Sequence, residues 1–176
     1  MTSTNRKKTV QDKPVEPKAK PTEPKDKTDS QQAEKPSRLD VDAIGYTLLV
    51  KDAKAPKLSP KTKGHIFFEI GCSDEDKSLH IRMTGNDGGG LHTKEWIGVT
   101  PLLELLDKQE GNVFKSTVLK TVIKGASSNN ASFLAAVLRS KQLGLLAPSE
   151  NSQFLHQLDA NYQANKAKLL ALVPSS

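Results

Sequence analysis

The sequence has a single cysteine, Cys72, in 176 residues, so no disulfide can form within the chain and a cystine-stapled scaffold is excluded. Aromatic residues are scarce, at 5%, with one tryptophan and two tyrosines, which leaves most of the core to Leu, Ile, Val and Ala. Long apolar runs are missing too. Residues 169–173 form one of the longest, whereas a bilayer-spanning helix needs about 20 apolar residues. No apolar stretch follows the basic N-terminal Met-Thr-Ser-Thr-Asn-Arg-Lys-Lys, so no secretory leader is expected. These absences lead us to expect a soluble protein of a reducing, cytoplasmic compartment, with no membrane association.

Catalytic signatures are equally thin. His65, His80 and His92 fall in the same region, but no HxH or HExxH spacing occurs. His65 and His80 are expected to face one another across a hairpin, as polar residues on its outer face. The run Gly85-Asn-Asp-Gly-Gly-Gly90 lacks the P-loop lysine and the dinucleotide-binding spacing, so it reads as a loop. No metal, cofactor or catalytic set is expected, and the chain reads as non-enzymatic.

What is present divides the chain in two. Residues 1–40 hold ten Lys/Arg, seven Asp/Glu and five prolines, with Val10, Val15 and Leu39 as the only large aliphatics. Burying so few apolar groups cannot offset an ordering cost of about 1–2 kcal/mol per residue. Residues 1–40 are therefore expected to be a disordered Lys/Pro-rich arm, and residues 41–176 a single α+β domain. Within the arm, Pro14-Val-Glu-Pro17-Lys and Pro21-Thr-Glu-Pro24-Lys repeat seven residues apart, each with PxxP spacing. Their alternating charges suit an extended, solvated spacer.

The domain opens with β signals. Residues 44–50 are an apolar run of strand length, and residues 51–63, with two prolines and five lysines, read as a loop. Residues 65–71 alternate with Ile66, Phe68 and Ile70 on one face. Residues 79–84 alternate with Leu79, Ile81 and Met83 inward and His80 and Arg82 outward. A small antiparallel, hairpin-based sheet over 44–99 follows, closed by a short strand near Trp96. The second half, 100–173, reads as helical. Thr100-Pro101 opens a helix over 102–108. Further helices are expected over 114–124 and 132–143, the latter burying Phe133, Leu134, Val137 and Leu138. A long helix is expected over 150–173. On it, Leu155, Leu158, Tyr162, Asn165, Leu169 and Leu172 follow 3,4 spacing, a face for the domain, a protein partner or a second copy.

Charge carries the strongest functional signal. Residues 53–68 contain four lysines and no acid, and residues 111–149 contain Lys115, Lys120, Lys124, Arg139 and Lys141, again with no acid. Between them, residues 69–110 carry nine acids and four basic residues. The second acid-free stretch covers a helix–turn–helix-like pair. In such a pair the second helix reads base edges while basic residues meet phosphates. The turn Ser127-Ser128-Asn129-Asn130 and the stripe Ser132, Ala135, Arg139, Gln142 would then face DNA or RNA, with Lys120 and Lys124 on the preceding helix. The expected interface is thus Lys120, Lys124, Ser128, Asn129, Asn130, Ser132, Arg139 and Gln142, in a nucleic-acid-binding or regulatory protein. The alternative is a protein–protein adaptor docking through the 150–173 helix with the arm as tether.

Overall fold

A computed structural model describes residues 43–173, all within one compact unit. The expected N-terminal arm and its PxxP segments lie outside the described residues. The described chain is mixed α+β, with four antiparallel strands in one sheet and three in another, joined by a few short helices.

The first sheet runs in sequence order: β1 (Tyr46–Pro56), β2 (His65–Ser73), β3 (Leu79–Asn86) and β4 (Trp96–Gly98). Alternation decides its faces, as the pleat requires. Ile66, Phe68 and Ile70 of β2 and Ile81 and Met83 of β3 are fully buried on the inner face. The strand β1 continues through residues 51–56, where the sequence suggests a loop. Register shifts between Leu48 and Ala53 absorb the polar Lys51-Asp52 pair, and Asp52 takes a left-handed φ of 53°. Beyond that bulge Ala53 and Ala55 pair with Phe68 and Ile66, and the loop shrinks to residues 57–64.

On the outer face, Glu69 lies directly across from Arg82, and the two form a buried ion pair at 2.7 Å. The Arg82 guanidinium lies 4.7 Å from the Trp96 ring centroid, and Trp96 stacks on Tyr46 at 4.3 Å. A side chain at position 71 would collide with Trp96, since an added Cβ would fall 2.8 Å from the ring. His80 pairs with Gly71, whereas His65 sits at the far end of β2 beside Asp87, 3.2 Å from its carboxylate. The two histidines therefore do not face one another, because the hairpin register separates them.

Helix α1 (Val99–Asp107) follows β4 directly and buries Val99, Leu102, Leu103 and Leu106 against the first sheet. The segment expected as a helix over 114–124 is instead a two-residue strand, β5 (Phe114–Lys115), and a 3-10 helix (Ser116–Thr121). Thr117, Val118, Thr121, Val122 and Ile123 are β-branched, and their restricted χ1 opposes a full α-helix. Helix α2 (Asn130–Leu138) packs on β1, β2 and the 3-10 helix, and ends before the expected 143. Gly144, at φ 56°, accepts the left-handed turn that ends this region.

The long helix over 150–173 is absent. The chain forms strands β6 (Leu146–Ser149) and β7 (Ser152–Leu158), joined by a turn at Glu150-Asn151, and then helix α3 (Tyr162–Leu170). The strand β7 pairs with both β5 and β6, giving the sheet order β5-β7-β6. Its backbone is thereby satisfied on two sides, which outweighs the helical spacing of Leu155 and Leu158. The 3,4 seam is cut in half, and the docking face it implied does not form. Helix α3 is held on α1 by Tyr162, whose hydroxyl donates to Asp107 at 2.8 Å, and by Lys166, 2.6 Å from the same carboxylate. Among the described residues no helix is long and apolar enough to cross a membrane.

His156 is a buried polar residue set among apolar ones. His156 of β7 is fully buried against Phe114, and neither ring nitrogen has a partner among the described residues. Burial, with the Arg139 charge second, lowers its pKa from 6.5 to about 4. The unfolded chain binds a proton at this ring below pH 6.5 that the folded protein refuses until about pH 4. Stability must therefore fall on acidification through that window. Replacing His156 by leucine is expected to flatten this loss, seen as a smaller drop in Tm between pH 7 and pH 4.5 than in the parent protein.

Candidate functional site

A cleft of about 410 Å³ opens among the described residues. Five parts of the chain line it, one of them the start of the 3-10 helix at Ser116. The β1–β2 loop supplies Lys57, Ser59 and Thr62, and the glycine-rich loop after β3 supplies Asn86, Gly88 and Gly90. The first turns of α2 supply Asn129, Ser132, Phe133 and Ala136, and Phe154 of β7 stands at the mouth, 55% exposed.

The glycine-rich loop takes its shape from Asn86, whose amide donates to the Gly90 carbonyl at 2.8 Å and accepts the Gly90 N–H at 3.3 Å. Gly88 and Gly89 sit at φ 91° and 71°, which a side chain would resist. At position 90 an added Cβ would come within 3.1 Å of the Asn129 amide, so the bare backbone is what permits this close approach.

A set of amides and hydroxyls then fastens the loop to α2. Asn130, 2% exposed, accepts the Thr93 N–H at 2.9 Å and donates to the carbonyls of Lys124 and Gly125. Asn129 and Ser127 both donate to the Leu91 carbonyl, at 3.1 and 2.6 Å. The Ser-Ser-Asn-Asn turn read from the sequence as a contact surface thus has Ser127, Asn129 and Asn130 engaged within the protein. Ser128 is exposed.

The remaining expected contact residues are dispersed. Ser132 lines the cleft, and its hydroxyl donates to the Asn129 carbonyl at 2.9 Å. Ala135 is fully buried, so the stripe 132, 135, 139, 142 is not one solvent face. The Arg139 guanidinium donates to the Gln153 and Leu155 carbonyls at 2.7 and 2.6 Å, bracing β7. Burial lowers the Arg139 pKa. Gln142 is exposed beyond the helix and borders a smaller cavity of about 230 Å³ with Asn165 and Lys168. Lys120 and Lys124 are exposed, and the Lys124 backbone N–H donates to the Glu95 carboxylate.

No aspartate or glutamate is among the residues lining the cleft. Asp87, in the same glycine-rich loop, turns its carboxylate to the His65 N–H at 2.8 Å, and that bond chiefly holds its pKa below the usual range. Lys57 donates to the Asp87 carbonyl and lies 6.0 Å from the Phe133 ring centroid. The cleft therefore joins a lysine, several hydroxyls and amides, and two phenyl rings. Such a lining accepts a polar, flat or anionic group and disfavours a cation.

Sequence reasoning missed the two rings. Phe133, expected in the core, is half-buried and packs against it while also lining the cleft, and Phe154 lies on β7 where a helix is expected. The available signal was Phe133 next to Ser132 at the start of a helix whose later turns are wholly apolar. Cys72 is buried on the inner face of β2, and no group of three potential metal ligands occurs among the described residues. No family model matches the chain, and comparisons with curated proteins and with solved structures find no match either.

Substituting Asn130 by alanine removes the buried acceptor of Thr93 and the donor to residues 124 and 125. The expected cost is about 2–3 kcal/mol in a denaturant titration. Ser128→Ala, at an exposed position, should stay within about 0.5 kcal/mol of the parent.

Proposed function

We propose that this protein works by binding nucleic acid, without catalysis of its own, through the face that contains the cleft. One observation carries the reading. The two acid-free segments, 53–68 and 111–149, lie far apart in sequence, yet both contribute to one cleft through Lys57, Ser59 and Thr62 on one side and Ser116, Asn129 and Ser132 on the other. Exposed Lys61, Lys63, Lys115, Lys120 and Lys124 belong to the same two segments. Phosphate contacts of this kind release counterions and supply most non-specific affinity for polyanions.

The order of elements favours the same reading by analogy of architecture. Helix α1, strand β5, the 3-10 helix, α2 and the β6–β7 hairpin follow one another as in a helix–turn–helix with a β-wing. In this version α2 is a core helix along most of its length. Contact then falls to its first turn, the flanking loops and the hairpin rather than to a helix lying full length in a major groove. A regulatory role would follow from which nucleic acid is bound.

Electrophoretic shift at two salt concentrations tests the proposal with the full chain. Binding should weaken steeply with salt, and a variant carrying Lys61→Ala, Lys63→Ala, Lys120→Ala and Lys124→Ala should lose about one unit of salt slope per phosphate contact removed. Affinity and slope unchanged in that variant would move the interface away from this face.

A further inference from the structure

We infer that the cleft receives one unstacked nucleobase, so that the protein prefers single-stranded over duplex nucleic acid; this rests on the nucleic-acid reading above. The size of the opening is the first reason. About 410 Å³ falls within the range of small-ligand clefts, roughly 300–1,000 Å³, and is far too small for a duplex.

The chemistry of the walls is the second reason. Phe133 and Phe154 both line the cleft, and a base of any identity stacks on a phenyl ring. Phe154 is 55% exposed at the mouth, an apolar ring left in water in a chain with few aromatics. Around the rings stand Ser59, Thr62 and Ser116, whose hydroxyls can donate or accept at a base edge, and Ser132, whose hydroxyl donates to the Asn129 carbonyl and can still accept. An apolar peptide side chain would offer the hydroxyls of Ser59, Thr62 and Ser116 no partner, and an ammonium group would meet Lys57. A base offers both donors and acceptors, and its 5′ or 3′ phosphate suits Lys57 at the rim.

The third reason is rigidity. The Phe133 ring lies 6.1 Å from the His92 ring, and the turn that carries it is fixed by the bonds of Asn129 and Asn130. A stacking platform that is already in place loses little entropy on binding. A paired base could reach the cleft only by flipping out of its stack, at a cost of a few kcal/mol. The preference for single strands follows from that cost.

The experiment uses the full chain, a fluorescent twelve-nucleotide single strand bearing one 2-aminopurine, the matching duplex, and free 2-aminopurine nucleotide. Binding of the strand is expected to quench the 2-aminopurine. Phe154→Ala should weaken strand binding about 5- to 100-fold, leave duplex binding within about twofold and abolish the quench, whereas Phe154→Trp should restore both. Phe133→Leu, which keeps the apolar volume, should act like Phe154→Ala.

Quenching of the free nucleotide as well would support the base site and show that a strand is not required. Unchanged strand affinity in both phenylalanine variants, with binding still weakened by the lysine substitutions, overturns the base site and leaves the nucleic-acid reading standing. Binding of neither strand nor duplex overturns both.

Discussion

The side-chain amide of Asn130 is the contact on which the rest of this architecture depends. It is almost fully buried, and it joins three backbone groups from two parts of the chain: the Thr93 N–H and the carbonyls of Lys124 and Gly125. A buried amide is tolerated only when its donors and acceptors are met, so this geometry admits few alternatives. By meeting them, Asn130 fixes the connection between β3 and β4 against the start of α2. Asn129 and Ser127 add two bonds to the same connection. The glycine-rich loop, Phe133 and the cleft between them are shaped by this junction.

The same packing determines what α2 can do. Its residues Leu134 to Leu138 are all buried because β1, β2 and the 3-10 helix pack around it. Arg139, the one cationic side chain at its end, is spent on two β7 carbonyls. A helix so committed exposes only its opening turn, and the accessible chemistry passes to loops and to Phe154 on the hairpin. Loops positioned by a rigid scaffold are where binding residues are commonly found. In the proposed reading the lysines of residues 51–63 and 115–124 supply attraction of long range, while the cleft supplies fit.

The sheet was the most legible part of the sequence. Ile66, Phe68 and Ile70, and Leu79, Ile81 and Met83, alternate as their strands do, because a one-sided sheet writes its period into the chain. Less legible was the continuation of β1, where a bulge at Asp52 hides the period. Residues 114–123 misled because apolar spacing near 3.6 coincides there with β-branched residues that resist an α-helix. Residues 155–158 misled because their spacing of three fits a helix, while the pairing that decides the matter comes from β5 and β6, elsewhere in the chain. The site was legible in part. Charge segregation pointed to the segments that meet at the cleft, but which of Ser127, Asn129 and Asn130 face inward is set by tertiary hydrogen bonds to residues 91–93. No local pattern encodes those bonds.

Cross-linking locates the contact surface most directly. A single strand carrying a photoreactive base would be irradiated on the full chain and the modified peptides identified by mass spectrometry. Adducts concentrated in residues 57–64, 129–136 and around Phe154 are the expected result, since these segments surround the cleft. Adducts confined to residues 1–42, or to the outer face of the first sheet near Tyr46 and Trp96, would contradict the account.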